Sequence, residues 1–432
     1  MKQVVIVAPH FPPSNLAAVH RTRLFAMHLP KFGWHARVLS VDPRYYEEPL
    51  DPELTQLVPA SVEVLRTRAL PVAPVRLVGD IGLRSLWWHY RALRALVRRD
   101  RIDLLYIPIP PNFSALLGPL LHRRDGIPYA IDYIDPWVHS WPGSEVPFSK
   151  AWLSFHLGRL CEPVVLRHVR LITGVAPGYY EGALQRSPWL DPSMCVAMPY
   201  GAEAADFHFL DAHPRPTTLF DRDDGKCHIV YAGAMLPRAY TTLEAICRAL
   251  HWARDHAGHA VSRLRLHFIG TGTAPTLVAG STMRSWIERF GLSDIVHEHP
   301  GRLPYLEVLN HLKQAHAVLV FGSDEPHYTA SKVFQAISSR RPVIGVLHAR
   351  STAVAILREV GVGPVVAFDE TRPASACVAE IGQVFVDLVD GRDLTPHGAN
   401  WRAFDRYSAE QITQQLAAAF DAALARPALG HV

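Results

Sequence analysis

Short apolar runs alternate along this chain with segments of helical periodicity. The first run, Val4–Val7, precedes a proline-rich loop at residues 9–15, a helical pattern at 20–29 and a second apolar run at 36–40. Strand, loop, helix and strand at this spacing form a βαβ unit, which implies a parallel sheet. The first loop lacks the sequence GxGxxG, which argues against a nicotinamide dinucleotide site there.

The same alternation continues through the rest of the first half. Residues 42–80 are rich in proline and charge and are predicted to be irregular, and the loop-like, acidic residues 202–226 are predicted to be a linker. Further strands are predicted at 62–66, 104–107, 128–133, 171–175 and 196–198, and helices at 81–99, 114–122, 151–169 and 179–184.

A second series of strands and helices follows the linker. Strands are predicted at 228–231, 264–269, 295–297, 317–321, 343–346 and 365–367, and helices at 241–256, 282–290, 305–314, 352–359, 375–389 and 408–424. Two successive α/β halves predict two domains, and a ligand is expected in the cleft between such halves.

The helix predicted at 81–99 has two interpretations. A basic amphipathic helix with tryptophans suits a membrane surface, whereas the simpler interpretation packs it on the sheet with its arginines in solvent. The predicted apolar stripe contains Leu83, Leu86, Trp87, Tyr90, Leu93 and Val97, and the arginines predicted to face away are Arg84, Arg91, Arg98 and Arg99.

Composition and charge narrow the class of protein. With 432 residues, 49% hydrophobic and 19% charged, the chain is expected to fold into two globular domains. The formal charge is +4: residues 1–205 have 22 Lys and Arg against 17 Asp and Glu, and the remainder has 22 against 23. This excess is too small to indicate a nucleic-acid partner.

Cysteine usage and the start of the chain predict the compartment. The five cysteines are scattered and form no CxxC pair, which argues against a disulfide framework or a zinc site. The chain begins directly with an apolar strand, so no signal peptide is expected, and no apolar run is long enough to span a bilayer. A cytoplasmic protein is predicted, with peripheral contact at the inner face of the membrane as an alternative.

The stretch from Tyr328 to Gly345 is the first candidate for chemistry. Thr329 and Ser331 are good N-cap residues, and the apolar positions after Lys332 predict a short helix. Free N–H groups at a helix start, with a lysine in the first turn, are suited to hold a diphosphate. The alternative is an ordinary αβ unit with a surface lysine.

Two other groups of residues are weaker candidates for a functional site. Asp132 and Asp135 follow a predicted parallel strand, at the edge where α/β sheets bind ligands. His297 and His299 lie on one face of a predicted strand, as a metal site would require, but no third ligand is evident and a surface pair is the simpler interpretation.

A series of short motifs carries a family resemblance. The motifs are Phe11–Pro13 with Arg21, the sequence Asp-Tyr-Ile-Asp-Pro-Trp at 132–137, Met198–Gly201, Tyr231–Gly233 with Arg238, Phe268–Gly270, Gly301–Tyr305, Ser331–Gly345 and the tail at 401–424. In this order they resemble the family 4 retaining glycosyltransferases, over nearly the whole chain. The segment at 132–137 is similar to that of exopolysaccharide-type members.

The resemblance implies a fold and an activity. The fold would be α/β of the GT-B type: an N-terminal Rossmann-like acceptor domain at 1–205, a C-terminal nucleotide-sugar donor domain at 206–404, and residues 405–432 crossing back to the first domain. The activity would be hexosyltransferase-like. It would transfer a sugar from a nucleotide sugar to a glycan, lipid-linked or small-molecule acceptor with retention of configuration, and without metal or cofactor.

The same resemblance implies site residues. Catalytic roles would fall on Asp135, Arg238 and Lys332. Donor binding would involve Gly233, Arg238, Gly270, Arg302, His327, Thr329, Ser331, Lys332 and Gln335, and the acceptor side would include Pro13, Ser14, Asn15, Arg21 and Asp132.

The sequence also departs from the family pattern. His327 and Gln335 stand where the family has paired glutamates, Ala234 replaces an arginine, and Ile134 replaces the catalytic histidine or arginine. These departures keep two alternatives open. One is a non-catalytic homologue that binds nucleotide sugars or serves as a partner subunit, and the other is a nucleotide-sugar epimerase on the same fold.

Overall fold

The chain divides into two compact units. The computed structural model describes residues 1–74, 78–140, 143–235, 237–272, 282–325, 331–395 and 398–426. The first unit is Met1–Gly201 together with the chain from Ala409 onward, and the second is Ala202–Ser408. The divisions predicted after residues 205 and 404 each lie four residues from these boundaries.

Each unit contains one parallel sheet among its described residues. The strands are β1 (Lys2–Val7), β2 (Trp34–Val41), β3 (Glu63–Thr67), β4 (Leu104–Ile109), β5 (Tyr129–Tyr133), β6 (Leu171–Gly174), β7 (Cys195–Ala197), β8 (Cys227–Ala232), β9 (Leu264–Ile269), β10 (Val296–His299), β11 (Ala317–Phe321), β12 (Val343–His348) and β13 (Val365–Phe368). The strand order is β3-β2-β1-β4-β5-β6-β7 in the first unit and β10-β9-β8-β11-β12-β13 in the second.

Helices connect the strands. They are α1 (Ala17–His28), α2 (Ile81–Arg99), α3 (Leu117–Asp125), α4 (Lys150–Leu166), α5 (Glu181–Arg186), α6 (Ala204–Ala212), α7 (Tyr240–His256), α8 (Gly258–Arg263), α9 (Thr282–Arg289), α10 (Tyr305–Gln314), α11 (Val333–Ser338), α12 (Thr352–Val360), α13 (Val378–Val389), α14 (Trp401–Asp405) and α15 (Ala409–Ala425). Short 3-10 helices lie at Leu29–Phe32, Pro43–Tyr45, Pro52–Leu57, Asn112–Leu116, Pro177–Tyr179, Pro192–Met194, Pro237–Ala239 and Ala374–Cys377.

The central strands are covered on both faces. All residues of β4, β11 and β12 are buried, as expected for parallel strands between two helical layers. In the first unit α1 packs against α15, whereas α2 packs against α3 and α3 against α4. Right-handed crossovers from β3, β4 and β5 place α2, α3 and α4 on one face of the sheet, opposite α1. Among the described helices, none has both the length and the apolarity needed to cross a bilayer.

The orientation predicted for α2 was wrong at three residues, whereas Leu93 is buried and Arg91, Arg98 and Arg99 are exposed as predicted. Arg84 is buried, whereas Leu83 and Trp87 of the predicted apolar stripe are exposed. The Arg84 guanidinium donates to the carbonyls of Leu70 and Tyr45 and pairs with Glu47, so partners from the irregular segment satisfy its charge. Periodicity within the helix could not reveal those partners.

Three further expectations need correction. The predicted linker contains α6, held by the hydrogen bond from Tyr305 Oη to Asp206. The helix expected from residue 114 begins as the 3-10 helix Asn112–Leu116 before α3. Helix α11 begins at Val333 with Lys332 as its N-cap, so Ser331 does not cap it, and Thr329 lies outside the described residues.

Candidate functional site

The loops after β8, β9 and β10 meet at the carboxyl edge of the second sheet. Gly233 N–H donates to the Ile269 carbonyl at 2.9 Å, and Gly270 N–H donates to the His299 carbonyl at 2.8 Å. Gly270 has a φ of 72°, and a Cβ added there would meet nothing within 4 Å. This edge therefore combines an ordered backbone with open space, as a ligand site in an α/β fold requires.

Lys332 lies directly beside Gly233. Its Nζ is 3.8 Å from the centroid of the Tyr231 ring and donates to Tyr231 Oη at 2.5 Å. A Cβ added to Gly233, whose φ is 149°, would lie 2.6 Å from Lys332 Nζ. Any other residue at position 233 would displace the Lys332 ammonium, so the position of Lys332 depends on the glycine at the end of β8.

No acid among the described residues neutralises the charge of Lys332. The side chain is half-buried and forms no ion pair among the described residues. Burial lowers the pKa of Lys332 to about 7. The aromatic ring stabilises the cation only in part, so a bound anion would favour the protonated form.

Arg238 already has acidic partners. Its side chain is exposed, and its guanidinium lies 2.7 Å from Asp324 and 3.7 Å from Glu325. Both acids follow β11 at the same sheet edge. A ligand phosphate must therefore compete with Asp324 for Arg238, whereas it would meet Lys332 without an acidic competitor among the described residues.

The other predicted donor residues are placed less tightly. Arg302 is exposed in the segment after β10. Ser331, which lies two residues before α11, and Gln335, in the first turn of α11, are both half-buried. Helix α11 has only six residues, so the expected contribution of a helix dipole is small and Lys332 carries the positive charge. His327 and Thr329 lie outside the described residues.

In the first unit, Arg21 and Asp132 form a buried ion pair. Arg21 donates to both Asp132 oxygens at 2.7 and 2.9 Å and to the carbonyls of Met198 and Pro199 at 2.9 Å. Thr173 Oγ1 donates to Asp132 at 2.7 Å. Both charged side chains have no exposed surface, so these contacts indicate that the pair positions the chain around residues 198–199. Direct contact with an acceptor would require exposure.

Asp135 has a different environment. Its side chain reaches solvent and makes no hydrogen bond or ion pair among the described contacts. Desolvation by the surrounding protein nevertheless raises the pKa of Asp135 to about 7. A carboxyl group with this pKa can give or accept a proton near neutral pH.

The predicted acceptor loop is ordered by its own polar contacts. Ser14 is buried and donates to Glu48, which also pairs with His10 at 2.8 Å. Burial opposes ionisation of Glu48, but the His10 and Ser14 contacts outweigh it and hold the pKa of Glu48 at about 2. Asn15 contacts His20 at 3.1 Å, and Pro13 is half-buried.

His297 and His299 belong to a larger histidine cluster. Both rings stack on His267, which contacts His228 at 3.0 Å. Among the described residues no group of three or more His, Cys, Asp or Glu is arranged to hold a metal ion. Phe220 stacks on His228 and lies 4.8 Å from His267, so the cluster packs beneath the segment that leads into β8.

Three site residues were absent from the sequence prediction. Tyr231 supplies the ring beneath Lys332, and Asp324 and Glu325 engage Arg238. Strand alternation places Tyr231 and Gly233 on one face of the sheet, so the sequence did indicate that Tyr231 lies on the same side as Gly233. The two acids follow a buried strand, which is the signal that selected Asp132 and Asp135.

A family comparison agrees with this architecture. Residues 17–201 match the family model described as a glycosyl transferase 4-like domain. This match supports the resemblance to family 4 glycosyltransferases, whereas the exopolysaccharide branch stays a prediction. No curated protein matches the chain.

Solved structures share the fold over both units. HepE from Anabaena in complex with UDP-glucose has a TM-score of 0.65 at 13% identity, covering 98% of this chain and 100% of its own. Sucrose-phosphate synthase from Thermosynechococcus elongatus has a TM-score of 0.64 at 15% identity, covering 98% and 99%. A glycosyltransferase from Rickettsia africae has a TM-score of 0.62 at 12% identity, covering 99% of both chains. The predicted GT-B fold is thereby confirmed.

Proposed function

We propose that the protein is a glycosyltransferase that takes its sugar from a nucleotide-sugar donor. The observation that carries this proposal is the position of Lys332 Nζ, beside Gly233 and over the Tyr231 ring at the carboxyl edge of the second sheet. A cation that has no acidic partner in the described part of the chain, next to a glycine that leaves space, is suited to a diphosphate. The structural neighbour HepE, solved in complex with UDP-glucose, supports this class of donor.

The chemistry follows from charge development. When the sugar leaves, negative charge accumulates on the nucleotide diphosphate, and preorganised cations stabilise that charge. Lys332 is assigned to this task, and Arg238 joins it after release from Asp324. In the proposal Gly270, Arg302, Ser331 and Gln335 complete the donor site.

Asp135 is assigned to the acceptor side. Its carboxyl group is accessible and has a pKa of about 7, so it can accept a hydrogen bond or a proton from an acceptor hydroxyl. The acceptor is a glycan, a lipid-linked sugar or a small molecule. Transfer with retention of configuration, without metal or cofactor, is part of the proposal.

A cytoplasmic location is also proposed. All five cysteines are free, and three of them, Cys227, Cys247 and Cys377, are buried. Free buried thiols are typical of proteins in reducing compartments.

Calorimetry with UDP-, GDP-, ADP- and dTDP-sugars tests donor binding, and release of free sugar from the bound donor tests turnover. At least one donor is expected to bind and to be hydrolysed slowly without acceptor. Failure of all four to bind would contradict the proposal.

A second function is favoured by two specific observations. Gln335 stands where the family has a glutamate, and Arg238 is paired with acids instead of being available. A non-catalytic nucleotide-sugar-binding subunit would bind a donor through Lys332 but would neither transfer nor hydrolyse it. Donor binding without product, with a range of acceptors supplied, supports this second function.

A further inference from the structure

The outward face of α4 carries a stripe of apolar side chains. Ser149 caps this helix by accepting from the Trp152 N–H, and the inner face buries Gly158, Glu162, Val165 and Leu166. On the opposite side, exposed apolar residues recur at intervals of four, three and four, which places them on one face. They are Leu153 (45% exposed), Leu157 (46%), Leu160 (70%) and Val164 (56%).

The exposed large apolar side chains of the described residues belong to the first unit. Among the described residues, every large apolar side chain that is exposed lies at or before Trp189, and none belongs to the second unit. Val146 and Phe148, the latter 82% exposed, immediately precede α4 and extend its stripe. A contiguous exposed apolar surface of this kind marks an interaction site, because water covers it at a cost.

The charge around the stripe is mainly positive, although the exposed Glu145, which accepts from the Gly143 N–H, lies next to Val146. Helices α2, α3 and α4, on one face of the first sheet, contain nine Arg and Lys but only two acids. Both acids are already paired: Asp125 with Arg94 at 3.1 Å, and Glu162 with Arg186 at 2.7 Å. The exposed cations beside or near the stripe are Lys150, Arg159, Arg167, Arg123 and Arg124.

This combination discriminates between two occupants. If two copies of the chain paired through the α4 stripe, Arg159 and Arg167 would approach cations of the other copy, with no free acid on α4 to neutralise them. Anionic lipid headgroups, in contrast, complement those cations while the apolar side chains enter the acyl boundary. The stripe on α4, from Leu153 to Val164, would present about 17 Å of helix to that surface.

We propose that α4 is a membrane-docking helix that binds the surface of a bilayer containing anionic phospholipids. The inference is independent of the donor site, since its residues lie in the first unit and none of them belongs to the nucleotide-sugar proposal. It also moves the predicted membrane contact from α2 to α4. Helix α2 also exposes Leu83 and Trp87, but α4 exposes four apolar side chains on one face.

Sedimentation of the full-length protein with lipid vesicles tests the proposal. Phosphatidylcholine vesicles with about 30 mol% phosphatidylglycerol are expected to bind the protein, pure phosphatidylcholine vesicles much less, and added salt is expected to weaken binding. The variant Leu157→Gln/Leu160→Gln is expected to bind the anionic vesicles at least about tenfold more weakly. Ser154→Gln, on the same helix but off the stripe, is the matched control and should bind like wild type.

Three results would overturn the proposal. The first is wild-type protein that does not sediment with the anionic vesicles. The second is a double-leucine variant that binds them as tightly as wild type. The third is a wild-type dimer in analytical ultracentrifugation that the double-leucine variant dissociates, which would assign the stripe to a second copy of the chain. Arg159→Gln/Arg167→Gln should also weaken vesicle binding about tenfold or more, and unchanged binding would refute the electrostatic part.

Discussion

Replacing Lys332 with methionine removes the cation beside Gly233 but keeps an unbranched side chain over Tyr231. In wild type the ammonium lies 3.8 Å from the ring centroid, without an ion pair among the described residues. A hydrogen bond to a charged group contributes about 1.5–3 kcal/mol. Lys332→Met is therefore expected to raise the Kd of the nucleotide sugar roughly 10- to 150-fold.

The pKa of Lys332 adds a second signature. Because burial lowers it to about 7, the free protein loses the ammonium charge as the pH rises above neutrality. A bound diphosphate favours the charged form, so binding takes up a proton above pH 7, and affinity falls as the pH rises. Between about pH 6.5 and 8.5 the protonated fraction falls roughly 25-fold, which is the largest loss of affinity expected from this group.

Calorimetry with the nucleotide sugar that binds best measures both effects. In two buffers of different ionisation enthalpy, wild type should take up about one proton per donor at pH 8, and Lys332→Met should take up none. Lys226→Met is the matched control, because Lys226 precedes the opposite end of β8 and donates to the Ser262 carbonyl. Donor affinity that is independent of both pH and the Lys332 substitution would contradict a role for the Lys332 ammonium in donor binding.

Three further changes test other parts of the account. Gly233→Ala places a Cβ 2.6 Å from Lys332 Nζ and should weaken donor binding about tenfold or more by calorimetry; unchanged affinity would contradict the match between these residues. Asp324→Asn removes the competitor of Arg238 and should tighten donor binding by up to about fivefold, since an exposed ion pair contributes about 0.2–1 kcal/mol; weaker binding would remove Arg238 from the donor site. Burial and neighbouring histidines lower the pKa of His267 to about 3. As the pH falls below about 6.5, His267 therefore takes up a proton in the unfolded chain but not in the folded one, and the folded protein loses stability. By pH 5 the loss should reach roughly 2 kcal/mol, and thermal melts at pH 7 and 5 should show a smaller difference in His267→Gln; an equal difference would exclude His267.

The sequence predicted the two sheets well because strand burial is a local signal. Runs such as those in β4 and β12 are apolar throughout, and parallel strands between helical layers require that pattern. Side-chain orientation in α2 was not predictable in the same way. Arg84 is buried because Leu70, Tyr45 and Glu47 receive its guanidinium, and none of those partners lies in the helix.

The candidate site was predictable in its cation but not in its surroundings. Lys332 could be selected because it follows a loop and precedes a short helix, whereas its ring partner Tyr231 lies 101 residues earlier. Arg21 and Asp132, 111 residues apart, were assigned to the acceptor side from their motifs, but the fold buries them against each other. Pairings over such distances depend on the register of the sheet, which a single sequence does not encode locally.

A crystal structure of the wild-type protein with its bound nucleotide sugar would show directly whether Lys332 holds the diphosphate. The account predicts a diphosphate oxygen within about 3 Å of Lys332 Nζ, close to Gly233 at the carboxyl end of β8. A diphosphate bound elsewhere, with Lys332 still donating to Tyr231 Oη alone, would contradict it.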